Sequence, residues 1–109
     1  MIEEKKYTPR AEEDYKEFMS RVISDQKEVA PMRILEQLVE IAVAEIKSLT
    51  FDISAISTIK NLTISIRHRG RQIDDHMIRI MEDHTDRVIY RKDDDEWVLT
   101  LRRDFPSIY

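Results

Sequence analysis

Residues 50–68 read TFDISAISTIKNLTISIRH, and this stretch decides the fold. Apolar and polar side chains alternate over residues 51–55 and again over residues 62–67. A period of two that is rich in β-branched residues predicts extended strands. Residues 58–61 would connect the two strands into a β-hairpin. If this stretch were instead one continuous helix, the predicted sheet could not form.

The residues before this stretch follow a helical period instead. Apolar side chains recur every three or four positions and predict amphipathic helices over about 9–28 and about 31–49. Thr8 and Pro9 suit the N-cap and the first helical position, and Pro31 would separate the two helices. Because the connection is short, we expect the two helices to form an antiparallel hairpin.

The residues after the stretch predict a helix and a second hairpin. Gly70, the only glycine, marks a turn that needs a positive φ, and a helix is expected over about 72–84. Strands over 87–92 and 96–102 would meet across the turn Asp93-Asp94-Asp95. The predicted fold is therefore α+β: an N-terminal helical hairpin followed by β-β-α-β-β. Its antiparallel four-stranded sheet would carry the helices on one face.

The composition excludes several classes of protein. The chain has 109 residues, which predicts a single domain over 1–109. It has no cysteine, which excludes a disulfide scaffold, a thiolate zinc site and a cysteine nucleophile. A single glycine argues against a glycine-rich phosphate-binding loop. Without a catalytic motif, the sequence does not favour an enzyme, and we expect no catalytic residue, metal or cofactor.

The apolar runs also bear on the compartment. No run of about 18 apolar residues is present, so we expect no membrane span. The first residues, MIEEKK, are not followed by the apolar segment of a secretory signal. The cytoplasm is therefore the expected location.

The basic segment RHRGR at residues 67–71 is the most suggestive motif. Guanidinium groups near a glycine turn can bind phosphate or carboxylate groups with two hydrogen bonds each. The hypothetical anion-binding or nucleic-acid-binding residues are Arg67, His68, Arg69, Arg71 and Arg79. The plainer alternative is a strand end and a solvated turn, neutralised by the acidic residues Asp74 and Asp75 that follow.

One version of nucleic-acid binding is a winged helix. Residues 73–101 resemble a recognition helix followed by a two-stranded wing, and residues 52–65 would then form the first helix of a helix-turn-helix pair. The net charge of −4 opposes this hypothesis, because phosphate binding usually needs an excess of basic residues.

The leading hypothesis is an interaction or regulatory module. The apolar face of the second helix is wide enough to suggest a homodimer or a protein partner. A third hypothesis is a small hydrolase or metal-dependent enzyme that uses Asp75, His76 and His84. The eight-residue spacing of these histidines differs from the four-residue spacing common in helical zinc sites.

Overall fold

The structure, a computed structural model, describes residues 4–47 and 50–106. These residues form five strands, three α-helices and one short 3₁₀ turn. In chain order they are β1 (Lys5–Tyr7), α1 (Tyr15–Ser24), the 3₁₀ turn (Ala30–Met32), α2 (Ile34–Ile46), β2 (Phe51–Ser57), β3 (Asn61–His68), α3 (Asp75–His84), β4 (Arg87–Asp93) and β5 (Glu96–Asp104).

All five strands belong to one antiparallel sheet with the order β1-β2-β3-β5-β4. The two predicted hairpins, β2-β3 and β4-β5, are therefore confirmed, and the pairing of β3 with β5 joins them. Ile66 lies opposite Ile53 on one side and Leu99 on the other, so the apolar side chains of β2, β3 and β5 line up in rows across the sheet. The prediction of an α+β fold is confirmed.

The predicted number of strands is wrong, and so is the predicted helical start. The first described element is β1, which pairs with β2 and forms a fifth strand at the edge of the sheet. Tyr7 of this strand is buried in the core. Three residues are too few to show an alternating pattern, so no periodic signal predicts β1.

Helix α1 begins later than the sequence predicts, because a stronger cap lies downstream of Thr8 and Pro9. The carboxylate of Asp14 accepts the backbone N–H of Glu17 at 2.8 Å, and the Glu17 carboxylate accepts the backbone N–H of Asp14 at 3.3 Å. This capping box satisfies two otherwise unpaired donors, whereas a single threonine satisfies one.

Helix α2 follows the 3₁₀ turn that contains Pro31. It ends at Ile46, and the C-cap residue Lys47 adopts a left-handed conformation with φ 54°. The predicted end of this helix, residue 49, lies outside the described residues. The predicted stripe on α2 is buried as expected, and its described members are Leu35, Leu38, Val39, Ala42 and Ile46.

Helix α3 is preceded by the turn that holds Gly70. The predicted positive φ is confirmed at 89°. The helix begins at Asp75 rather than near residue 72, because the Asp74 carboxylate accepts the backbone N–H of His76 at 2.8 Å and caps the first turn.

The core lies between one face of the sheet and the three helices. The apolar side chains of β2, β3 and β5 on that face pack with those of the helices in one buried cluster. The alternate residues of the same strands point to the opposite side, which no described element covers. No helix in the described ranges has the length and apolarity that crossing a bilayer would require.

Candidate functional site

The structure does not bring the five predicted site residues together. His68 is 1% exposed and points toward the helices, whereas strand alternation places the exposed Arg67 on the other face of the sheet. Arg69 and Arg71 are exposed in the segment between β3 and α3. Arg79 is exposed on α3, which packs on the helical side. These five residues therefore do not share one surface, and their role in binding an anion or a nucleic acid stays a prediction.

Carboxylates from the turn between β4 and β5 neutralise the first two arginines. Arg67 Nη1 lies 3.4 Å from Asp93 Oδ2 and 3.8 Å from Glu96 Oε1. Arg69 Nη1 lies 3.6 Å from Asp95 Oδ2, and its Nε lies 3.9 Å from Glu96 Oε2. The neutralising residues are thus those of the β4-β5 turn, and no ion pair is found to Asp74 or to Asp75.

An open cavity of about 550 Å³ lies at this end of the sheet. Arg67 and Arg69 line it together with Asp52 and Glu96, so two cations face two carboxylates. Because these charges balance, the cavity lacks the positive potential that would favour an anion. The predicted anion site therefore gains no electrostatic support from this cavity.

His68 also lines this cavity, and neighbouring side chains hold its ring. Its Nε2 lies 2.9 Å from Tyr90 Oη, which accepts the backbone N–H of Ile73, also at 2.9 Å. The Tyr90 hydroxyl therefore joins two buried groups, the His68 ring and the Ile73 amide, and His68 Nδ1 has no hydrogen-bond partner among the described residues. Burial lowers the pKa of His68 and raises the pKa of Tyr90, so both side chains are neutral at pH 7.

The aromatic rings around Tyr90 form a continuous stack on the helical side. The Tyr90 ring lies 5.9 Å from that of His68 and 5.0 Å from that of Trp97, with interplanar angles of 14° and 22°. Together with the hydrogen bond to Ile73, this stack fixes the segment before α3 against the sheet. We therefore assign His68 a positioning role in the fold.

The three residues of the third hypothesis, Asp75, His76 and His84, are exposed on α3. His76 lies in the first turn of α3 and His84 is its last residue. Across residues 4–47 and 50–106, no three histidine, aspartate or glutamate side chains gather in a group that could hold a metal ion. The geometry offers no support for the third hypothesis.

The uncovered side of the sheet is the largest continuous feature left to explain, and we call it the open face. Its central row crosses four strands and consists of short side chains with one isoleucine: Ser54, Ser65, Thr100 and Ile89. The flanking rows are Lys6-Ile56-Thr63-Arg102-Arg87 and Asp52-Arg67-Val98-Arg91. Ile56 and Ile89 are each 37% exposed, so apolar area lies among the polar side chains.

The open face has a small basic excess. The strand registers place on it five cationic side chains and four carboxylates, those of Asp52, Asp93, Glu96 and Asp104, so five positive charges face four negative ones. Of the cations, Arg67 is paired as described and Arg102 lies 3.2 Å from Asp104. The other three, Lys6, Arg87 and Arg91, form no ion pair with any described residue. The three helices, in contrast, carry seven acidic and three basic side chains. The helices therefore carry a net negative charge, whereas the open face carries a small net positive charge.

Aromatic side chains are missing from the described part of the open face. Those in the strands lie on the helical side: Tyr7, Phe51, Tyr90 and Trp97. Proteins that bind single-stranded nucleic acid on a sheet stack bases on aromatic rings. The open face therefore lacks a stacking platform.

The sequence contained part of the signal for this face. Each strand carries polar side chains at alternate positions, but which of these side chains lie next to one another depends on which strands are neighbours. The pairing of β3 with β5 joins residues more than 30 positions apart, such as Ser65 and Thr100. No local pattern specifies that pairing.

Comparison with known proteins adds no relative from which a function could be transferred. No protein-family model matches the sequence, and no curated protein is significantly similar to it.

Proposed function

We propose that the protein acts in the cytoplasm as an interaction module, and that its open face binds an acidic surface of a partner protein. The observation that carries the proposal is the uncovered sheet face, with the cations Lys6, Arg87 and Arg91 unpaired within the described chain. Arginine and exposed apolar side chains are typical of protein interfaces, and complementary charge speeds association and selects the partner.

Nucleic acid is the less favoured partner. The open face has no described aromatic side chain for base stacking, and the carboxylates of the β4-β5 turn neutralise Arg67 and Arg69. The winged-helix arrangement is wrong, because residues 52–65 form strands β2 and β3 rather than a helix. A phosphate backbone would be attracted only by the same dispersed cations that fit an acidic protein.

A second copy of the chain fits the open face less well than a different protein. A two-fold symmetric contact would place the basic face against itself. The wide apolar face of α2 suggested a dimer. Its residues Ile34, Ile41 and Val43 are partly buried and pack against the chain's own core. That apolar area is already used within the fold.

The proposal is tested with labelled poly-L-glutamate of about 20 residues as the acidic probe, by fluorescence anisotropy at about 50 mM salt. Two double charge reversals change the net charge equally. Lys6→Glu with Arg91→Glu alters the open face, whereas Lys16→Glu with Arg79→Glu alters the exposed surfaces of α1 and α3.

We expect the wild type to bind poly-L-glutamate with an affinity that falls as salt rises. The open-face variant should bind at least about tenfold more weakly, and the helix variant within about twofold of the wild type. Equal weakening by both variants would contradict the proposal, because it would show attraction to net charge alone. Tighter binding of single-stranded DNA of equal charge would favour the nucleic-acid alternative instead.

A further inference from the structure

We infer that the acidic partner presents an extended segment, which pairs with the outer edge of β4 as a sixth strand of the sheet. This inference rests on the proposed function and specifies how the partner is held. β4 is the last strand in the sheet order and has β5 as its only neighbour among the described strands. An edge strand leaves alternate backbone N–H and C=O groups unpaired, and an added strand satisfies them.

The length of the edge selects β4 over β1. β4 offers seven residues, and its backbone forms no hydrogen bond to any described element other than β5. β1 offers three residues, and the side chains of Lys5 and Tyr7 are both held by Asp25 of the α1 cap. Among the described strands, the β4 edge is the one long enough for a stable main-chain ladder.

The side chains along β4 specify the chemistry of the segment. Arg87, Ile89 and Arg91 lie on the open face, and neither arginine has an ion-pair partner among the described residues. Opposing residues of paired strands share a face, so acidic side chains four positions apart in the segment would meet the two arginines. A β-branched or small side chain between them would meet Ile89.

The same charges disfavour pairing between two copies of this edge. β4 carries Arg87, Arg91 and Lys92 against the single carboxylate of Asp93, which already lies near Arg67. Two such edges would bring like charges together, which destabilises a cross-strand contact. An acidic segment of another protein is therefore the occupant that the edge fits.

The probe for the test is a capped nine-residue peptide, Thr-Val-Glu-Val-Thr-Val-Glu-Val-Thr, with its two glutamates four positions apart. Three modified peptides serve as controls. One replaces both glutamates with lysine, and the other two carry N-methyl groups on the odd-numbered or on the even-numbered amides. In a paired strand only one of these two sets of amides points toward β4, so only one methylation pattern blocks pairing.

Binding is measured by the fluorescence of Trp97, the only tryptophan, which stacks on Tyr90 and lies 5.9 Å from the Lys92 ammonium. We expect one N-methylated peptide to bind at least about tenfold more weakly than the parent and the other within about threefold. The lysine peptide should not bind. Arg87→Glu with Arg91→Glu should abolish binding, and Lys16→Glu with Arg79→Glu should leave it unchanged.

Equal binding of the parent peptide and both N-methylated peptides would overturn the strand pairing. The strand pairing would also be overturned if the protein bound poly-L-glutamate but none of the peptides. In both cases the proposed open-face function would stand, whereas a protein that binds neither class of probe would contradict that function as well. Self-association in sedimentation, with cross-links between β4 strands, would assign the edge to a second copy and overturn the inference.

Discussion

The hydroxyl of Tyr90 joins two buried groups, and Tyr90→Phe removes it while keeping the ring. The oxygen lies 2.9 Å from His68 Nε2 and accepts the backbone N–H of Ile73 at 2.9 Å. His68 is 1% exposed and Ile73 is fully buried. Water therefore cannot replace the lost hydroxyl without opening the segment between β3 and α3.

The expected loss follows from these two contacts. A buried donor or acceptor left without a partner costs about 1–3 kcal/mol. Because two groups lose the same partner and can relax in part, we expect Tyr90→Phe to lower the free energy of unfolding by about 2–4 kcal/mol. The stacking of the ring on Trp97 at 5.0 Å is retained, so the loss isolates the hydroxyl.

The measurement is urea unfolding at pH 7.5, with Tyr15→Phe as the matched control. The Tyr15 ring packs against Phe51 at 5.9 Å, and its hydroxyl forms no hydrogen bond with any described residue. The control should change the free energy of unfolding by less than about 0.5 kcal/mol. A Tyr90→Phe loss no larger than that of the control would refute the bridging role of the hydroxyl.

Three further predictions concern the fold. The Arg21 guanidinium donates two hydrogen bonds to Glu13 and holds the pKa of Glu13 at about 2, below its ordinary 4.5. This interaction stabilises the fold fully above pH 4.5, and the stabilisation is lost as the pH falls toward 2. Between these pH values the free energy of unfolding should therefore fall less for Glu13→Gln than for the wild type, and identical pH profiles of the two proteins would contradict this prediction. Gly70→Val should destabilise by about 1–2 kcal/mol in urea, because φ is 89° and nothing else crowds the position, and Gly70→Asn by less; equal stability of all three proteins would show that the turn tolerates any residue. Leu38→Ala and Leu99→Ala should each cost about 2–5 kcal/mol, since both side chains are buried, and unchanged denaturation midpoints would mean that the core is assigned to the wrong faces.

Sequence periodicity predicted the elements that are long enough to show a period. The alternation in residues 50–68 predicted β2 and β3 because strand geometry itself has a period of two. β1 has three residues, so its place in the sheet depends on tertiary pairing with β2. The start of α1 was misplaced because two start signals compete, and the reciprocal hydrogen bonds between Asp14 and Glu17 make the later one stronger.

The candidate site was harder to predict than the fold. Residues 67–71 are neighbours in sequence, but alternation along β3 sends Arg67 and His68 to opposite faces. The carboxylates that neutralise the arginines come from residues 93–96, and only the pairing of β3 with β5 brings them there. The open face likewise depends on strand order, which local sequence does not encode.

The most direct test of the central claim, that the open face is the binding surface, is a methyl NMR titration of isoleucine-labelled protein with poly-L-glutamate. Ile56 and Ile89 report on the open face, where each is 37% exposed, while Ile34 and Ile78 report on the helices. We expect the methyl signals of Ile56 and Ile89 to shift on binding and those of Ile34 and Ile78 to stay in place. Shifts confined to Ile34 and Ile78, or a saturated complex without shifts at Ile56 and Ile89, would contradict that claim.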